Sequence, residues 1–352
     1  MRVSFPWFGT GTLALKMFIE DLGAEAVLPP APGKRTLELG VRHSPEQICL
    51  PFKITLGSMI EAAENGADTL FMAAGTRKCR FGYYHLLQER ILARLAPGCR
   101  LIPLSQYSAP DFVLRLIPET LGVTPAQALR AVLLLLERSA LVHDFDYRVR
   151  LTRALDFRRA EALARTGLGM IARARSLSQI RRTRPALRDL FALNGSRPAL
   201  RIGLVGEIYL MIEPSANADM VKELGRLGAM VLHERTLYRH ILHLLKSDFG
   251  YWRSAWYSRR YIGESPGGEV TKTLGEAIHF ARSGADGIIH IFPFTCMPEN
   301  MALEMLQRIG KDYDVPVMSL SFDEHASRTG LVTRLEAFVD MVTRRRRGRA
   351  SA

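Results

Sequence analysis

The chain has only four cysteines in 352 residues, at positions 49, 79, 99 and 296. Their wide spacing speaks against a disulfide scaffold, and no short paired-cysteine motif points to structural zinc. Long apolar runs are missing too. The longest block, Ala131-Val-Leu-Leu-Leu-Leu136, is bounded by Arg130 and Glu137, far short of the ~20 residues that span a bilayer. No secretory leader is visible: residues 2–5 read as a strand, and Gly9-Thr-Gly11 opens a helix. A reducing cytoplasm is therefore expected, with free thiols available as ligands or nucleophiles. A Walker-type Gly-x-x-x-x-Gly-Lys-Ser/Thr loop is absent, so no intrinsic ATP hydrolysis is expected.

What the chain does have is arginine. The net charge is +13, with ten arginines between Arg153 and Arg188 and five more in Arg344-Arg-Arg-Arg347 and Arg349. An anionic partner, nucleic acid or a phosphate-bearing cofactor such as coenzyme A, is one reading. A solvated helical surface is the other, and it is favoured because no nucleic-acid motif or aromatic-interleaved basic stripe accompanies the charge. The length suits two or three domains.

One pattern occurs twice. Gly66-Ala67-Asp68 is followed by an apolar run and Cys79, and Gly284-Ala285-Asp286 by an apolar run and Cys296. Each unit reads helix, tight turn, buried strand, loop, cysteine. Open α/β sheets bind ligands beyond the carboxyl ends of their strands, so the two units are placed to bring their cysteines to one crevice. Strands alternate with helices over the first ~115 residues: strands at 26–28, 69–73 and 100–104, helices at 54–65 and 83–95. Helical periodicity takes over from about 110 to 194, as at 125–139 and 154–176. Turn residues at 194–198 then open a second α/β unit, with strands at 199–205, 229–232, 287–292 and 315–321 and a last helix at 331–342. The expected fold is α/β: two Rossmann-like domains with mostly parallel sheets (1–115 and 196–343), an intervening helical segment (116–195) and a basic tail (344–352).

Cys49 stands just before a helix and near Lys53, and both features favour a thiolate. Cys79 lies beyond a strand between Lys78 and Arg80. Cys296 sits in a loop stiffened by Pro293 and Pro298. Cys99 precedes a strand instead of following one, which assigns it to the opposite sheet edge and a structural role. Three thiols at loop ends suit a shared metal centre. Zinc would want a fourth ligand, for which His43, His85 and His290 are available. An iron–sulfur cluster accepts thiolates from distant segments. A nucleophilic cysteine would need a base and an orienter that the sequence does not single out.

At these residues the chain resembles a known group. The stretches are Lys34-Arg-Thr-Leu-Glu-Leu-Gly40, Cys49-Leu-Pro-Phe-Lys-Ile54, Cys79-Arg-Phe-Gly-Tyr-Tyr84, Gly206-Glu-Ile-Tyr209 with Glu213-Pro214 and Asn217, Phe294-Thr-Cys-Met-Pro-Glu299, and Asp323-Glu-His325. They are similar to the 2-hydroxyacyl-CoA dehydratase and benzoyl-CoA reductase subunits, more closely to the stand-alone branch called CoA protein activase-related proteins. That resemblance implies paired Rossmann-like domains and a [4Fe–4S] cluster, its ligands carried over to Cys49, Cys79 and Cys296. It also implies low-potential electron transfer or reductive chemistry on a CoA thioester or similar substrate, with a related subunit and a separate ATP-hydrolysing activator as partners. A cluster-carrying electron-transfer protein without its own activity and a zinc-stabilised scaffold are the alternatives. Glu207 and Glu213 are candidates for proton transfer or for holding a loop. His325 is a candidate proton donor or ligand of the open iron, and Lys53 a candidate for tuning a cluster through its charge. Gly9-Thr-Gly11 is a short candidate phosphate-binding turn, and Arg334 and Glu336 are read as an ion pair.

Overall fold

The computed structural model of the chain describes residues 1–74, 79–104, 108–193, 195 and 198–351. It is α/β, with two four-stranded sheets whose strand pairs are all parallel. The first sheet holds β1 (Arg2–Ser4), β2 (Glu25–Ala26), β3 (Thr69–Met72) and β4 (Arg100–Pro103) in the order β2-β1-β3-β4. The second holds β5 (Leu200–Gly206), β6 (Ala229–Leu232), β7 (Gly287–Pro293) and β8 (Val317–Phe322) in the equivalent order β6-β5-β7-β8. In each half the first strand lies between the second and the third. The chain therefore switches sides there, and the binding crevice lies beyond the carboxyl ends of β1 and β3, and of β5 and β7.

The repeated Gly-Ala-Asp builds this switch. Gly66 and Gly284 end their helices at φ +85° and +77°, which costs glycine nothing sterically. Asp68 then accepts the Arg2 backbone N–H at 2.9 Å, and Asp286 the Arg201 N–H at 2.8 Å. Each arginine side chain folds back onto the turn, Arg2 onto the Gly66 carbonyl and Arg201 onto that of Ser283, both at 2.8 Å. The turn thus grips the start of the central strand and sets the register of Val3 with Thr69 and of Ile202 with Gly287.

Helices α1 (Gly11–Asp21), α2 (Lys34–His43), α3 (Leu50–Glu64) and α4 (Tyr84–Leu95) belong to the first half. Helix α3 is buried from Leu50 to Ala62. Its first turn enters the core of the second half, where Leu50 and Ile54 join Leu204, Ile291 and Phe322. Helix α2, which the sequence reading does not contain, crosses α3 at Gly40 and Gly57. A Cβ on either glycine would come within 1.8 or 1.9 Å of a carbonyl oxygen of the other helix.

Short helices α5 (Ala109–Asp111) and α6 (Ile117–Leu121) lead into α7 (Pro125–Leu155), α8 (Phe157–Arg173) and α9 (Leu177–Leu190). Thr124 and Gln127 form a capping box that starts α7. The helix runs sixteen residues beyond the expected end at 139 and lays Leu134, Leu141 and Phe145 into one core with Val3, Phe5 and Phe18. Within the turn cluster expected at 194–198, Asn194, Ser196 and Arg197 lie outside the described residues.

The second half carries α10 (Ile208–Ile212), α11 (Met220–Arg226), α12 (Leu237–Leu244), α13 (Phe249–Ser258), α14 (Val270–Arg282), α15 (Met297–Asp312) and α16 (Arg328–Ser351). The basic stretch from Arg344 is the last part of α16 rather than a separate tail. Arg345 and Arg349 pair with Asp314, and Arg346 pairs with Asp286 at 3.0 Å. Arginines of the middle segment are spent similarly, Arg153 on Glu161 at 2.8 Å and Arg184 on Glu137 at 3.3 Å. Arg334 and Glu336 form no ion pair among the described residues, because positions two apart on a helix face different ways. No single helix among the described residues is long and apolar enough to cross a membrane.

Candidate functional site

The crevice between the halves gathers three of the four cysteines. Cys49 is the N-cap of α3, Cys79 precedes a 3-10 turn (Arg80–Tyr83) beyond β3, and Cys296 is the N-cap of α15 beyond β7. Cys49 Sγ lies 3.9 Å from the carbonyl oxygen of Thr295, the residue before Cys296. Arg80 donates to the Gln47 carbonyl at 2.9 Å and ties the Cys79 loop to the approach of α3. On the other side Gly268, at φ +57°, comes so close that a Cβ there would lie 2.9 Å from the Pro298 ring and 4.0 Å from Cys79 Cβ. The loop carrying Cys296 is fixed by Asn300, whose amide donates to the Phe294 and Cys296 carbonyls at 3.0 and 2.8 Å. Lys78, expected beside Cys79, lies outside the described residues.

The surroundings of these thiols are acidic, not cationic. Glu207 caps α10 by accepting the Leu210 N–H at 2.9 Å. Burial, with Glu299 and Glu269 nearby, raises its carboxyl to about 7. Burial pushes the Cys79 thiol up to about 11, with Glu207, Cys49 and Glu269 adding to the effect. Burial drives Cys296 upward too, reinforced by Glu299 and Glu207. Tyr84 is raised by burial and by Cys49, to which its hydroxyl bonds, and by Glu207. The cationic setting expected at Cys79 is therefore not what governs its thiol: burial does, with nearby carboxylates adding to it.

Those carboxylates form a network that the sequence reading did not find. Glu299 is fully buried. It accepts from Thr273 Oγ1 at 3.0 Å and bonds His290 Nε2 at 2.9 Å, with Ser319 on the other ring nitrogen. Glu269 and Glu276 both pair with the buried Arg235. Glu269 caps α14 as Cys49 caps α3, and each helix leads into a Gly-Ala-Asp turn. Aligned on that turn without a gap, Cys49 falls opposite Gly267, so the sequence carries no direct signal for Glu269; only the helix starts show the correspondence.

Other expected site residues fall elsewhere. Lys53 is buried, but its ammonium pairs with Glu324 and donates to the Glu46 carbonyl at 3.0 Å. His325 is exposed, and its backbone N–H donates to Asp323 at 2.9 Å; this turn sends Glu324 inward instead. Glu213 is buried and holds loops together, accepting from Gly9 N–H at 2.8 Å and from Ser215. Gly9-Thr-Gly11 is accordingly a joint between halves and not an open phosphate turn. A Cβ on Gly9 would sit 2.3 Å from the Ile212 carbonyl oxygen. Cys99 lies at the far edge as expected, with Sγ 2.8 Å from the Ala67 carbonyl oxygen.

Among the described residues no three His, Cys, Asp or Glu side chains close on a single ion. Cys49 lies near both Cys79 and Cys296, and His290, the buried candidate for a fourth zinc ligand, is committed to Glu299 and Ser319. No family model matches the chain, and no curated protein matches it.

Proposed function

We propose that the chain is an iron–sulfur protein whose [4Fe–4S] cluster would be held by Cys49, Cys79 and Cys296 in the crevice between its halves. The observation that carries this reading is the meeting of three thiols from two parallel sheets and the helix that bridges them. A cubane takes its thiolates on separate irons, whereas zinc needs its ligands to converge on one point. Buried thiols with raised pKa values are also weak nucleophiles, which counts against cysteine catalysis. A bound cluster would supply one-electron chemistry of low potential.

The chain's own residues supply the setting. Prolines 293 and 298 and Asn300 fix the Cys296 loop, and Tyr84 orients Cys49. Glu207, beside the thiols, is the residue placed to hold a proton at its carboxyl; Glu213 and His325 are set aside for this role by their positions. The chemistry proposed is electron transfer to, or reduction of, a CoA thioester or similar acceptor. A related subunit and a separate ATP-hydrolysing activator would be the partners, in a cytoplasmic setting.

Anaerobic purification followed by iron and sulfide analysis tests this. Cys49→Ala, Cys79→Ala and Cys296→Ala should each lose iron and the broad visible absorption, while Cys99→Ala keeps both. Wild-type protein that takes up no iron on reconstitution, or loss of iron in Cys99→Ala alone, sinks the assignment. Acyl-CoA binding by calorimetry separates an enzyme from a cluster carrier.

A further inference from the structure

A cavity of about 200 Å³ lies away from the thiols, where α1, α7 and the loops after β5 and β6 meet. Three arginines of the described residues are almost wholly buried: Arg138, Arg150 and Arg235. Arg138 pairs with Asp21, and Arg235 with Glu269 and Glu276. Arg150, on the cavity wall and 6% exposed, makes no ion pair among the described residues. Its Nε donates to the Val231 carbonyl at 3.1 Å, and its Nη1 contacts His233 Nε2 at 2.8 Å. Arginine can only donate, so that ring nitrogen is the acceptor and His233 is a neutral imidazole. Burial in this setting lowers even the Arg150 guanidinium to about 10. A buried cation without a carboxylate is costly unless something else supplies the negative charge.

The nearest acid, Asp146, stands one turn earlier on α7 and already accepts the Thr10 hydroxyl at 2.6 Å. The remaining wall leans cationic: Arg153 and Lys222 share the single carboxylate of Glu161. Ser139 is 2% exposed, lines the same cavity, and its Oγ has no hydrogen-bond partner. The rest of the lining mixes apolar side chains such as Phe8, Phe145 and Leu168 with Asn217, Thr236 and the second acid, Asp219. A cavity of about 200 Å³ has room for a small acid with an apolar body.

We infer that this cavity binds a small organic anion, an apolar body carrying one carboxylate or phosphate, with Arg150 as its anchor and Ser139 as a further donor. Arginine's planar fork suits either oxyanion. The proposal is independent of what the cysteine crevice holds, so it is tested on protein without iron.

Calorimetry and thermal shift on the full chain, with phenylacetate, phenyl phosphate and inorganic phosphate as probes, provide the test. At least one of the two aromatic probes should bind saturably and raise the melting temperature, and inorganic phosphate should bind more weakly than phenyl phosphate. The response to phenylacetate against phenyl phosphate tells a carboxylate site from a phosphate site. Arg150→Gln should weaken binding at least tenfold. If that variant does not fold, Ser139→Leu, which fills the cavity and leaves Arg150 in place, should lose binding while keeping its urea midpoint. No binding of either aromatic probe by the wild type overturns the inference. So does undiminished binding by folded Arg150→Gln, or by Ser139→Leu.

Discussion

Replacing Gly57 by alanine should damage the protein more than its chemistry suggests. In an open helix the change stabilises by about 1 kcal/mol through propensity alone. Here the new Cβ would lie 1.9 Å from the Thr36 carbonyl oxygen and 2.8 Å from its carbon. Contacts under 3.0 Å are not sustained, so α2 and α3 must part by at least about 1.1 Å, from 1.9 to 3.0 Å. The opposing atoms are backbone, so no side chain can rotate away. Overpacking costs about 1–3 kcal/mol where neighbours can adjust, and more where they cannot. Separation would also stretch the buried Thr36–Glu61 hydrogen bond of 2.6 Å. We expect a net loss of about 2 kcal/mol or more, which at a urea m-value of about 3 kcal/mol/M lowers the midpoint by about 0.7 M. Gly169→Ala in α8 is the control: its nearest neighbours are the Arg173 guanidinium nitrogens at 3.9 Å, so propensity alone acts and the midpoint rises. Because α3 carries Cys49 at its start, Gly57→Ala should also lower iron uptake. A Gly57→Ala protein as stable as wild type would refute the argument that these two helices meet backbone to backbone.

Glu324→Gln should cost about 2 kcal/mol in urea unfolding, since it leaves the buried Lys53 ammonium facing neutral acceptors only; an unchanged midpoint would show that the charge pairing contributes nothing. Acid should also weaken the fold in a defined window. Burial lowers His143 and His240 from 6.5 to about 4. The unfolded chain therefore takes up these protons first, and stability is complete above about pH 6.5 and falls as pH drops toward 4. Glu234 and Glu324 are held below their ordinary 4.5 and add their own loss only at lower pH. Urea midpoints should decline from pH 6.5 to 5 and decline less in His143→Gln; a flat wild-type profile would remove buried neutral histidines from the account.

The parallel sheets were legible because their strands are continuous apolar runs, as burial on both faces demands, and because Gly-Ala-Asp marks the same turn twice. Helix α2 was not. Its buried positions are Thr36 and Gly40, so the residues that face α3 leave no apolar period to read. The end of α7 was missed for a related reason. Past Ser139 its inward face still carries Leu141, Val142, Phe145 and Val149, and only the last turn, where Arg150 and Thr152 are buried, lacks an apolar signal. Periodicity counts apolar residues and cannot see a polar group that tertiary contacts bury.

The same blindness hid half of the crevice. The cysteines were visible as rare residues at strand and helix ends, and Glu207 as a carboxylate at a strand end, whereas Glu269 and Glu299 look like ordinary surface carboxylates in the sequence. Cys79 and Cys296 occupy like places beyond β3 and β7, while Cys49 and Glu269 cap like helices. The near-symmetry of the fold sets Glu269 at a helix start where the other half has Cys49. Glu269 is held by Arg235, which Glu276 also grips. Its carboxylate is drawn toward that guanidinium, whose charge outweighs the cost of burial and keeps its pKa below the ordinary value. A duplicated fold thus yields an unsymmetrical crevice, to which both halves bring thiols and the second half brings the Glu269–Arg235 ion pair.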